Sequence, residues 1–404
     1  MNATLEAPPI IKAGAARTFT ENARAGVRRV FRLLIFVWKY GVGMLLCQSL
    51  VGAVVVVGWT YRLMQRMAWR RWWERSDLRR NGGHFLPFVE SDETTAGQAR
   101  WPNWLMQPTV VVGTPSRGVR RWVASLWANV RTGVQGIFNT WVLTLPGCLL
   151  MAFSWYDGWN NSFNKGYEQA IVGPLTGVTG LLLFLLAMFY VPLAQARQAV
   201  TGEWTSFYDF RLIGRLIVRR WPACLGLAIL YSLASVPVQV LRVLPEFFPQ
   251  FGEQSPAYVA TLPAATITDD LNSYFFWSAA YLFPAFVVLR IIAARIYATG
   301  LLGAVEAGVI SPDALRVRER MVLERLNLLQ ARPGPPRHRL IQLAAKGARR
   351  LLAASALLAM LLIWFSFGAQ IYIAQFLHYL GGTAWLNQPL VQLPWIRIIP
   401  AALN

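Results

Sequence analysis

The chain reads as an all-α, polytopic integral membrane helical bundle with about six membrane segments and in-plane amphipathic helices on its cytosolic face. Three observations carry this reading. Hydrophobic residues make up 55% of the chain and charged residues 14%, with 18 Trp and 22 Phe, whereas soluble chains carry about 25% charged residues. Long apolar runs recur, each near the ~20 residues that a crossing helix needs. Between them, Lys and Arg concentrate in every second connector, the bias that orients a chain in a membrane.

Residues 1–39 form a basic tail ending in an amphipathic stretch with Arg24, Arg28, Arg29 and Arg32. Glu6, Pro8, Pro9 and the basic residues before the first apolar run differ from a cleavable signal peptide. Residues 40–61 are the first apolar run, expected either to span or to re-enter, with Gly41 and Gly43 able to supply a bend. Residues 62–135 form a basic connector in which Trp69, Trp72 and Trp73 sit among arginines, as on a helix leaving the bilayer. Its stretch 81–118 is expected to be the least ordered; the G-T-P-S-R-G sequence there lacks the G-K-[ST] ending of a phosphate loop. Residues 136–294 hold segments two to five, near 136–156, 171–193, 222–241 and 274–294, with Pro146 and Pro284 inside two of them. Residues 295–350 are a second long basic connector. Ser311-Pro312-Asp313 there signals a helix start. Leu315, Val322, Leu326 and Leu329 then form an apolar stripe opposite Arg316, Arg320 and Glu324, expected to pack on the protein's own cytosolic face. Residues 351–377 are the sixth run, and 378–404 an apolar outer tail broken by prolines.

Lys plus Arg number seven before the first run, then twelve, one, five, one and twelve in successive connectors, the last twelve counting Arg290 near the end of the fifth run, and one after the last run. The rich connectors are expected on the cytosolic side of a bacterial inner membrane and the poor ones outside, with the C-terminus outside. The basic N-terminal tail conflicts with this alternation if residues 40–61 cross once.

Within the connector 195–221, a helix over 205–220 is expected to lie in the headgroup plane. Phe207, Phe210 and Ile217 would sit in the acyl boundary, and Arg211, Arg215 and Arg219, recurring every four residues, on anionic headgroups. A second candidate surface is the outer loop carrying Trp155, Tyr156, Asp157, Trp159, Asn160, Asn161, Asn164, Tyr167 and Glu168. Its rings and amides suit a sugar, a lipid headgroup or a partner protein; the plainer expectation is an aromatic belt around a hydrated loop.

Little points to catalysis. Cys47, Cys148 and Cys224 fall inside apolar runs without C-x-x-C spacing, and His84, His338 and His378 are scattered, so neither a metal site nor a cofactor is expected. Lys39, Arg290 and Glu306 are expected at span ends, where long side chains snorkel, which argues against proton-relay chemistry in the bilayer. The basic residues abut apolar runs and form no nucleic-acid-binding motif, so nucleic acid is not an expected partner despite the net charge of +20. The expectation is a non-enzymatic multi-pass membrane protein, a structural, scaffold or assembly component working with membrane lipids and other membrane subunits. A transporter or permease subunit with a separate motor is the alternative, and a lipid- or glycan-acting enzyme the least supported.

Overall fold

The computed structural model describes residues 36–90, 119–153, 172–247 and 264–329, with single positions at 30, 33, 34, 347, 350, 351, 354 and 358. The outer loop 155–168, the tail 378–404 and nearly all of the sixth run lie outside the described residues. The chain divides into a unit Met1–Gly43 and a unit Met44–Asn404. The described residues of the first unit are helical.

In the second unit, α1 (Leu50–Trp73), α2 (Asp77–Arg80), α3 (Phe85–Glu90), α4 (Val119–Phe153), α5 (Val172–Thr201), α6 (Phe210–Phe247), α7 (Ala264–Glu306) and α8 (Val317–Arg325) follow one another. The described residues contain no strand. Two stretches, Leu175–Thr201 in α5 and Ala279–Glu306 in α7, are long and apolar enough to cross a membrane. The six expected segments are thus not reached among the described residues. Outside these two stretches, α1 carries Arg62 and Arg66 and α4 carries Asn129, Arg131, Asn139, Thr140 and Thr144.

Three boundaries differ from the sequence expectation. The run 40–61 is not one helix. The chain turns at 47–49, where the Ser49 hydroxyl accepts the Gly52 N–H at 3.1 Å and caps α1, so a capping serine rather than Gly41 or Gly43 makes the bend. The stretch after residue 81 is not wholly irregular either, since α3 inserts Phe88 and Val89 into the core. And the expected in-plane helix 205–220 is divided. A 3-10 turn covers Trp204–Tyr208, and Phe210 opens α6, which runs on into the next apolar stretch with a kink at Arg220. Pro222 explains the kink, because its ring displaces the carbonyl four residues earlier and biases its predecessor away from the helical region.

Helices pack through bare backbone. A Cβ on Gly58 of α1 would lie 1.8 Å from the Asn129 carbonyl oxygen of α4, and one on Gly133 of α4 would lie 2.1 Å from the Val54 carbonyl oxygen of α1. Gly147 of α4 meets Gly180 and Phe184 of α5 in the same way. Such crossings suit helices that gain from close van der Waals contact rather than from burying oil in water.

The basic segments converge at one end of this unit. Gln65 Nε2 of α1 donates to the Val200 carbonyl at 3.2 Å, Trp72 Nε1 to the Ala298 carbonyl at 2.9 Å, and Arg325 of α8 to the Phe88 carbonyl at 3.0 Å. The C-terminal ends of α1, α5 and α7 therefore meet the start of α6 and the whole of α8.

Candidate functional site

The densest chemistry lies at this basic end, beneath α8. Helix α5 stops at Thr201, where Gly202 takes φ +75° and its N–H returns to the Gln198 carbonyl at 2.9 Å. A glycine is the residue for a helix ending in that left-handed position. The 3-10 turn then folds back, held by Thr201 and Ser206 hydroxyls 2.7 Å apart and by Ser206 Oγ donating to the Glu203 carbonyl at 2.7 Å. This places Asp209 beside Arg197, one helix end against the next helix start.

Arg197 is 1% exposed and Glu319 fully enclosed. Arg197 Nη2 lies 2.9 Å from Asp209 Oδ2 and 3.6 Å from Glu319 Oε2. Glu319 comes from the first turn of α8; its carboxylate accepts the Arg316 backbone N–H at 3.1 Å and the Tyr297 hydroxyl of α7. Arg316 closes the cluster from outside. Its guanidinium donates to both Asp209 oxygens at 3.3 and 3.1 Å and pairs with Glu203 at 3.2 Å. Four elements are thus tied by one ionic network of two arginines and three carboxylates. Burial raises the Glu319 carboxyl above its ordinary range, against the Arg197 charge and the Tyr297 and Arg316 hydrogen bonds that lower it. The Asp209 hydrogen bond raises Arg316 further.

A second polar layer continues inward. Gln198 Oε1 accepts from Asn139 Nδ2 at 3.1 Å, Asn139 Oδ1 accepts the Tyr208 hydroxyl at 3.0 Å, and Gln195 Nε2 donates to Thr140 Oγ1 at 2.7 Å. Gln195 also accepts from Arg290, whose guanidinium lies 4.6 Å from the Phe286 ring centre and 5.4 Å from that of Tyr61. Arg290 is 1% exposed. It does not snorkel as expected, because α5 supplies the Gln195 amide, α1 the Tyr61 ring and α7 itself the Phe286 ring in place of water.

The six residues expected at a lipid interface divide. Phe210, Arg211, Arg215 and Arg219 are exposed. Phe207 is fully enclosed and meets Tyr190 edge-on at 6.1 Å between ring centres, while its carbonyl accepts the Tyr190 hydroxyl. Ile217 is half-buried against the same core, as Ile213 and Leu216 are fully. The apolar face of this segment turns onto the protein because α5 and α7 cover it. Likewise α8 presents Val322, Leu323 and Leu326 to the core, but it starts at Val317 rather than at Pro312.

The sequence reading missed Arg197, Asp209, Glu319 and Tyr297. The signal was present: Gln195-Ala196-Arg197-Gln198 extends an apolar helix with long polar side chains on successive faces. Such a run is affordable only when other elements enclose and pair it. Among the described residues, no group of three or more His, Cys, Asp or Glu side chains could hold a metal ion. Comparison with protein-family models, with curated proteins and with solved structures finds no match for this chain.

Proposed function

We propose that the chain is a non-enzymatic, multi-pass inner-membrane protein that serves as a structural, scaffold or assembly component of a membrane complex, with its basic end in the cytosol. One observation carries the membrane part. Helix α5 exposes Leu175, Val178, Leu182, Leu183 and Leu186 along its first half and encloses Gln195, Arg197 and Gln198 in its second. Apolar residues outside and paired polar residues inside suit a lipid surround. Helix α4 repeats the pattern, exposing Val134, Phe138, Val142 and Leu149 around enclosed Asn139, Thr140 and Thr144.

The structural part rests on how the ionic cluster is used. Its charges are spent on one another and on holding α5, α6, α7 and α8 together, and Arg197 and Glu319 are closed off from any substrate. The exposed arginines of the α6 arm then suit anionic headgroups, and the apolar helix faces suit lipid or other membrane subunits. A transporter or permease subunit is the second reading, favoured by Arg290, an ionisable group enclosed within the fifth apolar run.

Purification of the tagged chain in mild detergent, after carbonate washing of the membranes, separates these readings. The scaffold reading expects the chain in the washed membranes with other membrane subunits in fixed ratio. A co-purifying ATPase would favour the transporter reading, and recovery of the chain in the carbonate wash would contradict both.

A further inference from the structure

A group of guanidinium groups outside the ionic cluster meets at one turn of α7. Arg71 Nε of α1 lies 3.5 Å from Thr299 Oγ1, and Arg220 Nη2 of α6 donates to the Thr299 carbonyl at 3.3 Å. One turn on, Leu301 and Leu302 point into the core and Gly303 lies beside the arginines: a Cβ there would stand 3.8 Å from Arg220 Nη2 and 4.0 Å from Arg219 Nε. Three arginines from two helices therefore gather at residues 299–303 of a third. Arg215 joins them one turn away along α6, donating to the Val309 carbonyl at 3.4 Å. The C-terminal dipole of α7 and Glu74, 3.1 Å from Arg71, offset part of the mutual repulsion.

We propose that Arg71, Arg219, Arg220 and Thr299 form a site for the phosphate of a single anionic phospholipid. Planar guanidinium forks match phosphate oxygens in pairs, and the Thr299 hydroxyl, which donates to the Arg295 carbonyl at 2.6 Å, orients Arg71. A lipid is the source because exposed apolar surface lies on the same two helices. Val288 on α7 and Leu230 on α6 are exposed. Val288 lies eleven residues before Thr299, about three helical turns and ~16 Å along the same face of α7, and Leu230 lies on α6 beyond its kink at Arg220. That is the path of an acyl chain leaving a headgroup. The site rests on the membrane reading above. It differs from general headgroup attraction in being a defined place that takes one lipid.

The test uses the full chain in mild detergent and in phosphatidylcholine vesicles, with phosphatidylglycerol or inorganic phosphate added as probes. Native mass spectrometry reads retained lipid, and the melting temperature reads binding. Phosphatidylglycerol, not phosphatidylcholine, should stay bound and raise the melting temperature. Arg219→Gln should weaken this roughly tenfold, the loss of one charge-assisted hydrogen bond. Gly303→Leu, which fills the turn and leaves every charge in place, should do the same, and Arg80→Gln should not. Equal phosphatidylglycerol retention by all variants would overturn the site. An equal shift with inorganic phosphate alone would overturn the lipid as its ligand. A chain that washes off membranes in carbonate would instead refute the membrane reading, so the two failures are distinct.

Discussion

Glu319 is the residue on which most of the geometry at the basic end depends, and its environment pulls it in opposite directions. Full enclosure raises its carboxyl above the ordinary value of 4.5, while Arg197, Tyr297 and the Arg316 N–H lower it, and burial wins. A carboxyl raised on folding binds its proton more tightly in the folded state. Its stability contribution is therefore complete below the unfolded value and is lost as pH rises through the folded one. Thermal melting across that window should show the wild type losing stability relative to Glu319→Gln, whose side chain cannot ionise. A constant gap between the two would refute the raised carboxyl. Arg197 is the opposite case. Removing one partner of a buried pair typically costs about 3–5 kcal/mol, and here the enclosed Glu319 carboxyl is left without water, while Asp209 keeps Arg316.

At the scale of elements, the glycine crossings make the sharpest demand. The α1–α4 contact admits no side chain at Gly58 or Gly133, so either alanine must push two helix backbones apart. Gly58→Ala should destabilise by about 1–3 kcal/mol or more, while Gly41→Ala, whose Cβ would meet nothing within 4 Å, should be neutral; melting in detergent compares them. The helices themselves were legible in the sequence, since the apolar runs under α4, α5, α6 and α7 are long and continuous. Their ends were not. Local spacing predicted a separate helix over 205–220, but Gly202 ends α5, the 3-10 turn intervenes and the α6 arm continues into the next run. Hydrophobic spacing also made Phe207 and Ile217 look lipid-facing, because a residue pattern marks an apolar face without saying whether lipid or protein covers it. The same ambiguity hid Arg290, which looked like a span-end arginine until α1 and α5 were seen to enclose it.

For the whole molecule, the charge count and the structure bear on the same axis from different sides. The count is a property of connectors, and the convergence of α1, α5, α6, α7 and α8 at the basic end is a property of packing. Cysteine accessibility in intact cells joins the two. With Cys47, Cys148 and Cys224 replaced, single cysteines at Arg80, Arg215 and Val317 probe the basic end, and one at Asn161 probes the outer loop. The account predicts that a membrane-impermeant maleimide labels position 161 in intact cells and positions 80, 215 and 317 only after the membrane is opened. Labelling of the basic-end positions in intact cells would contradict it.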